Sequence, residues 1–490
     1  MSFVHAPRRR AVSIMLAAAL GLSVIAAAPI VATVEAPPAA AATAIPTGAN
    51  TNPFVSRKGV YYRIPALAYA PVTHTLYAFA ERRDNNTDSD KGNFDIDLAT
   101  STDYGKSWKV RTIVNEGKWQ SGSPSSTVAA DGKTVVLVAY WHHPVNGVVK
   151  DQLQVRTSAD GFRGRLDIPI STAYGQPGPG TGILYTKGYP AGKGRILVPL
   201  SYHDNAGRRG ARFLISDDNG RHWTGGAPAY GPSSGSAAVI EPQAALLANG
   251  QIYLGMRDKS AKAGLTNRYY TYANADGRIS TSWKRLSFRM TSVQASFVSP
   301  TSGPYAKTLF MVGPSTVDKK IPLLRRDEAI WASTDYGKTW HKPYQLNLDN
   351  RPSAYSAIVQ MGDTLGVLYE TGTKTWRERI HFTSVRIATA AHWKKVASAI
   401  ATKQLSRGGA WVQVRAKGAT SPWGVVRLTW TNVKTHKSGH VSKTLISIGK
   451  GKAYVHLPKL KKGKYKIVAS YLGTGRIATS KHTAGTITIR

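Results

Sequence analysis

The sequence predicts an all-β protein, a six-bladed β-propeller followed by a smaller β-sandwich. Three observations carry this. A Ser-x-Asp-x-Gly-x-Thr/Ser-Trp pattern recurs at nearly constant spacing, and short alternating strands broken by Gly, Asp and Asn turns fill the intervals. No segment between residues 50 and 385 shows a sustained helical period.

The first element of the chain reads as a leader. Arg8, Arg9 and Arg10 form a basic start, AVSIMLAAALGLSVIAAAPIVA follows as an apolar run, and the small residues of PPAAAATA suit cleavage after Ala41 or Ala42. The run is nearly long enough to anchor in a bilayer, but its small residues and Pro29 favour removal. The expectation is a signal peptide over 1–42 and a linker over 43–50, hence a secreted or extracellular protein without stable membrane insertion. Sec and twin-arginine export both remain open. The absence of cysteine excludes a disulfide framework, a thiolate metal site and a Cys nucleophile.

Residues 51–392 form the repetitive region. Clean copies of the box are STDYGKSW from Ser101 and STDYGKTW from Ser333, and SDDNGRHW from Ser216 differs at one position. Eroded copies, SADGFRG from Ser158 and NADGRISTSW from Asn274, fall where the interval places them, so the steps are 57, 58, 58 and 59 residues. Roughly 335 residues at this step make six units of four short strands, the arithmetic of a six-bladed propeller. Within a box the Asp carboxylate can accept backbone N–H groups in a tight turn, Gly supplies a positive φ, and Trp covers the apolar side of the hairpin. The boxes are therefore read as structural.

A connector is expected over 393–408, then a second domain over 409–490. WVQVRAKG, WGVVRLTWTN, KAYVHLPKL, GKYKIVASYLG and TAGTITIR are strands at sandwich spacing. AYVHLPKLKKGKYKIVASYLGTGRIATSK resembles the closing half of bacterial immunoglobulin-like modules, which makes this domain an immunoglobulin-like β-sandwich. It is strongly basic: Ala391 to Arg490 holds 20 Lys or Arg and no Asp or Glu, so +20 of the net +38 lies there. Such a field attracts polyanions. An exported protein meets anionic wall polymers and acidic glycans before nucleic acid, so those are the expected partners, with a plain spacer as the alternative.

Between the boxes lie the residues that carry chemistry. Tyr62-Arg63-Ile64-Pro65 opens the first unit, and the acid-rich DNNTDSDKGNFDID precedes the first box. Glu241 and Arg257 bracket EPQAALLANGQIYLGMR, Arg325 and Arg326 precede Ser333, and Tyr355 and Glu370 bracket YSAIVQMGDTLGVLYE. In this order the set resembles the bacterial exo-α-sialidase (neuraminidase) family of glycoside hydrolases, over about residues 50 to 390.

The resemblance implies roles, and the chemistry agrees with them. A sialic acid carries a carboxylate on its anomeric carbon, so its site needs clustered permanent positive charge, and Arg offers that in a planar fork. By resemblance Arg63, Arg257 and Arg325 form the triad, with Arg326 as the alternative to Arg325. An anionic nucleophile would be repelled by the substrate carboxylate, whereas a neutral phenol needs only an adjacent base. Resemblance assigns Tyr355 as nucleophile, Glu241 as its base and Glu370 as partner to Arg63. The general acid falls to Asp90, two residues before Gly92, with Asp88 as runner-up. Arg82 or Arg83 lines the pocket or pairs with these acids; Arg82 is the expected substrate contact.

The leading expectation is a retaining exo-α-sialidase that acts on terminal α-linked sialic acids without metal or organic cofactor. The alternatives are a glycosidase for a related nonulosonic acid such as deaminated neuraminic acid, and a sialic-acid lectin on a catalytically dead propeller.

Overall fold

The structure is a computed structural model. It describes residues 47–84, 92–115, 117–145, 148–168, 175–232, 239–259, 264–318, 325–341, 343–347, 349–391, 395–445, 449–474 and 477–490. The expected signal peptide, 1–42, lies outside these residues. No helix among them is long and apolar enough to cross a membrane.

Runs such as VVLVAYW and RILVPLSY, rich in β-branched and aromatic residues, become strands buried along nearly their whole length. Burial on both faces is what stacked sheets require. Six antiparallel meanders follow one another among the described residues. Strand β1 (Asn50–Val55) is reserved for the last of them. The first comprises β2 (Val60–Ala70), β3 (Thr75–Asp84), β4 (Phe94–Ser101) and β5 (Lys109–Val114). The second comprises β6 (Gln120–Val128), β7 (Val135–Val145), β8 (Val148–Thr157) and β9 (Leu166–Ile168). After β10 (Gly180–Thr181), which runs parallel to β6, come β11 (Ile183–Tyr185), β12 (Arg195–His203) and β13 (Arg209–Ser216), with β14 (Thr224–Gly225) and β15 (Ala229–Tyr230) both on β13.

The fourth meander is β16 (Val239–Leu246), β17 (Ile252–Asp258), then, past β18 (Leu265–Thr266), β19 (Arg268–Ala273) and β20 (Lys284–Arg285). Strand β18 pairs instead with β21 (Met290–Thr291). The fifth is β22 (Ser296–Val298), β23 (Leu309–Val317), β24 (Arg325–Ser333) and β25 (Tyr344–Gln345). The sixth is β26 (Ser353–Met361), β27 (Thr364–Thr371) and β28 (Arg379–Arg386), and β1 completes it by pairing with β28. The leading strands β2, β6, β11, β16, β22 and β26 lie against one another in that order, and β26 returns to β2.

The boxes sit between the third and fourth strands of their meanders, and their chemistry is local. Asp103 Oδ1 accepts the amides of Lys106 (3.1 Å) and Ser107 (3.0 Å), and Ser101 Oγ accepts that of Gly105 (2.8 Å). Burial alone would raise the Asp103 pKa, but the bonds it accepts from the Ser107 hydroxyl and amide, the Ser101 hydroxyl and the Lys106 amide lower it to about 2. The box tryptophans reach further than expected: besides their own hairpin they pack on the preceding meander. Trp108 meets Phe382 of β28 edge-on at 5.3 Å and donates to Thr51 Oγ1 of β1 (2.9 Å). Trp340 meets Tyr253 of β17 at 6.3 Å, and Trp283 donates to the Tyr230 carbonyl of β15 (2.6 Å). The box glycines allow this approach, since a Cβ on Gly337 would lie 2.4 Å from the Tyr253 ring.

A short helix, α1 (Ile387–Ala391), leads into the C-terminal region. Residues 398–406, read from the sequence as part of a connector, form a strand, β29 (Ser398–Ser406), paired with β30 (Gly409–Ala416). Next come β31 (Gly424–Asn432), β32 (Ser438–Leu445), β33 (Lys452–His456), β34 (Gly463–Tyr471) and β35 (Ser480–Ile489). They make sheets of order β29-β30-β33 and β32-β31-β34-β35 that share a core including Val412, Val414, Leu428, Val455 and Ile467. Asp349 ties this region to the segment before β26, accepting from Thr420 Oγ1 (2.7 Å) and the Ser421 amide (2.8 Å).

Candidate active site

Four leading strands break register at corresponding points. β2 shifts between Arg63 and Ala66, β6 between Gly122 and Ser125, β16 between Ile240 and Gln243, and β26 between Ser353 and Ser356. Three of these bulges hold a non-glycine residue in the left-handed region: Ile64 (φ 52), Ser123 (φ 48) and Glu241 (φ 53). Each costs on the order of 1 kcal/mol or more and persists only where the surroundings enforce it. Side-chain acceptors do so, two of them buried carboxylates. Glu370 Oε1 accepts the Ile64 amide (2.8 Å), Glu81 Oε1 that of Ser123 (2.8 Å) and Ser201 Oγ that of Glu241 (3.1 Å), while Glu370 Oε2 takes the Tyr355 amide (3.3 Å). Bulges re-aim side chains, as they do beside many active sites.

The re-aimed side chains meet. Tyr355 Oη donates to Glu241 Oε1 at 2.5 Å, although the two residues are 114 positions apart. Arg257 Nη1 lies 3.0 and 2.9 Å from the two Glu241 oxygens and 3.3 Å from Tyr355 Oη. Burial and then the Glu241 carboxylate push the Tyr355 pKa up; Arg257 and Arg325 oppose them. Burial disfavours the Arg257 charge, but Glu241 and Tyr355 outweigh it and raise its pKa. Arg257 Nε reaches Ser292 Oγ at 3.3 Å, which fixes the guanidinium from behind. Ile64, Glu241 and Tyr355 are among the residues that line a cavity of about 560 Å³.

Arg63 Nε donates to Glu370 Oε1 at 2.7 Å, with Glu370 fully buried, and its guanidinium lies 5.7 Å from the Tyr355 ring centre. Arg325 stands at the start of β24, 5.5 Å from the Trp376 ring centre. Burial lowers its pKa, and the charges it feels are those of Tyr355, Arg257, Glu241 and Arg63. Arg326 turns the other way, to Asp318 (3.1 Å) and the Asn350 carbonyl (2.8 Å). Of the two arginines, Arg325 faces the Tyr355 centre.

The alternation of β3 separates Arg82 from Arg83. Arg82 lies with Asp84 (3.2 Å) and Asp95 (3.7 Å), whereas Arg83 lines the cavity, bonded to Glu81 at 2.6 Å and stacked 4.3 Å over Phe94. The cavity contact is thus Arg83, and Arg82 belongs to an ion-pair group with Asp84 and the buried Asp95. Asp90 and Asp88 lie outside the described residues. Sequence reasoning missed Glu81 and Ser201, which stabilise the bulges, the bulge residue Ser123, and Gln294, which is fully buried, accepts the Ser356 amide of β26 (3.1 Å) and donates to the Ser356 carbonyl (2.8 Å). A non-glycine left-handed residue has no local sequence signature, so nothing flagged these partners.

Residues 74–369 match the BNR repeat-like domain family. The sialidase of Micromonospora viridifaciens is 26% identical over 410 residues, covering 75% of this chain and 59% of that protein. That of Paraclostridium sordellii is 27% identical over 209 residues, 38% of this chain and 51% of that protein. The chain thus spans between half and three fifths of these relatives' own length. Among solved structures, Hadza microbial sialidase Hz136 aligns with TM-score 0.54 at 22% identity over 68% of this chain and 66% of that one. Trypanosoma rangeli sialidase in complex with the inhibitor DANA aligns with TM-score 0.53 at 12% identity, over 91% and 92%. The likeness shows a β-propeller fold. With the family match running over more than half of the sequence, the chain belongs to the BNR repeat-like domain family, and the curated relatives it matches are bacterial sialidases.

Proposed function

We propose that the protein is a secreted, retaining exo-α-sialidase whose nucleophile is Tyr355. The carrying observation is the 2.5 Å contact of Tyr355 Oη with Glu241, both lining a 560 Å³ cavity, with Arg257 bonded to both. A phenol whose pKa is raised is a weak nucleophile alone, and an acceptor already in hydrogen-bond reach removes its proton as attack proceeds.

In the first step the Tyr355 oxygen bonds to the anomeric carbon as its proton passes to Glu241. The glycosidic C–O bond breaks, and the acid, read as Asp90 with Asp88 second, protonates the departing oxygen. In the second step water attacks the same carbon and gives its proton to that Asp. The Tyr355–carbon bond breaks, and the phenol regains its proton from Glu241. Two inversions retain configuration. Arg63, Arg257 and Arg325 hold the substrate carboxylate, and Glu370 positions Arg63 and the Tyr355 backbone.

The accompanying architecture is a leader over 1–42, a six-bladed propeller over 51–392 and an immunoglobulin-like domain over 409–490 that is extended at its start by β29 (Ser398–Ser406). The substrates are sialylated glycans, and the basic C-terminal region serves as the contact to an anionic polymer.

The test is hydrolysis of fluorogenic glycosides of N-acetylneuraminic acid and of its deaminated analogue. Tyr355→Phe should lose at least about a hundredfold in kcat, as expected when the attacking group is removed. A 2,3-difluoro sialosyl fluoride should label the peptide that contains Tyr355. Near-wild-type turnover by Tyr355→Phe would sink the mechanism. Preference for the deaminated sugar would change the substrate and keep the chemistry.

A further inference from the structure

The outward face of the sheet β29-β30-β33 carries an arrangement that the catalytic reading does not use. Cross-strand pairing sets Lys403, Trp411 and Tyr454 in one row, with Gln413 beside Lys452 in the next. Their neighbours Val412, Val414 and Val455 point into the core, so the pleat turns this row to solvent. Trp411 is 45% exposed. Tyr454 stands edge-on to it at 5.6 Å, and His456 stands edge-on to Tyr454 at 4.7 Å. The row borders a depression of about 350 Å³ to which Lys403 and Lys452 also contribute.

An indole held half-open in water forgoes the burial free energy of its exposed apolar area, which a ligand that covers it recovers. The tyrosine edge keeps the ring in place, so little ordering is left to be done on binding. The two lysines sit in a region with 20 cationic residues and no Asp or Glu, so no side-chain carboxylate of residues 391–490 can neutralise them. Aromatic face and unneutralised ammonium groups therefore stand side by side on a regular sheet.

We propose that this face binds an acidic polysaccharide, one pyranose ring lying on Trp411 and the carboxylates of neighbouring units reaching Lys403 and Lys452. Charge complementarity selects an anion, and the flat indole selects a ring. A nucleic acid is disfavoured because its affinity comes from many phosphate contacts along a stripe, whereas this footprint spans one or two sugars between two lysines. The site uses none of the residues around Tyr355 and does not rest on the catalytic reading.

The experiment is affinity electrophoresis of the full chain in gels containing alginate, a polyuronate with no sialic acid, or neutral dextran, with a duplex DNA shift alongside. Alginate should retard the chain and dextran should not. Trp411→Ala should weaken retention by about tenfold, the scale of an anchoring aromatic. Lys403→Glu combined with Lys452→Glu should abolish it. Both variants should keep the melting temperature and the hydrolysis of a small sialoside. Alginate retention unchanged in Trp411→Ala would overturn the proposal, as would DNA bound as tightly as alginate. Absence of sialoside hydrolysis by the unsubstituted chain would overturn the catalytic reading alone.

Discussion

Glu370→Gln is the substitution that most directly probes how the site is held. Glu370 is fully buried and accepts from Arg63 Nε, the Ile64 amide and the Tyr355 amide. Glutamine keeps the shape but offers one acceptor oxygen. If that oxygen stays with Arg63 and Ile64, the amide NH2 faces the Tyr355 N–H; if it turns, Arg63 and Ile64 lose their partner. An unsatisfied buried donor costs about 1–3 kcal/mol, and a buried arginine stripped of its counter-charge costs about 3–5 kcal/mol. These overlap because they concern one group, so the expected loss of stability is about 3–5 kcal/mol. Urea unfolding of Glu370→Gln, Arg63→Met and the double variant should give a coupling energy of about 1.5–3 kcal/mol. KM for a sialoside should rise and kcat should fall together, since the carboxylate positions both Arg63 and the Tyr355 backbone. A loss under about 1 kcal/mol, additive with Arg63→Met, would refute the reasoning.

Gly337→Ala places a Cβ 2.4 Å from the buried Tyr253 ring at φ +90, so overpacking of about 1–3 kcal/mol adds to a left-handed cost of about 1–2 kcal/mol. Gly303→Ala, at φ +76 but facing open space, should bear the backbone cost alone. Melting temperatures that do not separate the two variants would remove the case for box glycines as contact points between meanders. Glu328 is fully buried, and burial, with Glu370 adding to it, pushes its pKa up to about 8 against the hydrogen bonds of Ser353 and Ser356. Since the folded state then holds the proton more tightly than the unfolded chain, this group subtracts stability as pH rises from about 4.5 to about 8. Glu328→Gln should flatten that part of the curve in urea midpoints, and an unchanged slope would count against it.

Much of the fold was legible because box chemistry is local. Asp103 satisfies amides three and four residues ahead of itself, so Ser, Asp and Gly must stand at fixed offsets wherever the turn is built, and their interval reports the size of the unit. The partner of each box tryptophan was not legible. Trp108 finds Phe382 and Thr51, residues from the far end of the repeat region and from its first strand, and no pattern around Trp108 names them. The strand Ser398–Ser406 was read as connector because its polar and charged residues hide the alternation; only Ile400 is buried in it.

By itself the sequence determined that this is an all-β repeat protein, and the ordered motifs singled out Arg63, Glu241, Arg257, Tyr355 and Glu370 as one set. Tertiary structure alone decided how that set is aimed. Arg83 rather than Arg82 lines the cavity, and Arg325 rather than Arg326 faces Tyr355. A strand side chain's face depends on the parity of its register, and a bulge inserts one residue and reverses that parity. The bulges in turn are maintained by Glu370, Glu81 and Ser201, and Glu370 lies 307 positions from the arginine it holds. Contacts at that separation exist only once the first and last meanders have met.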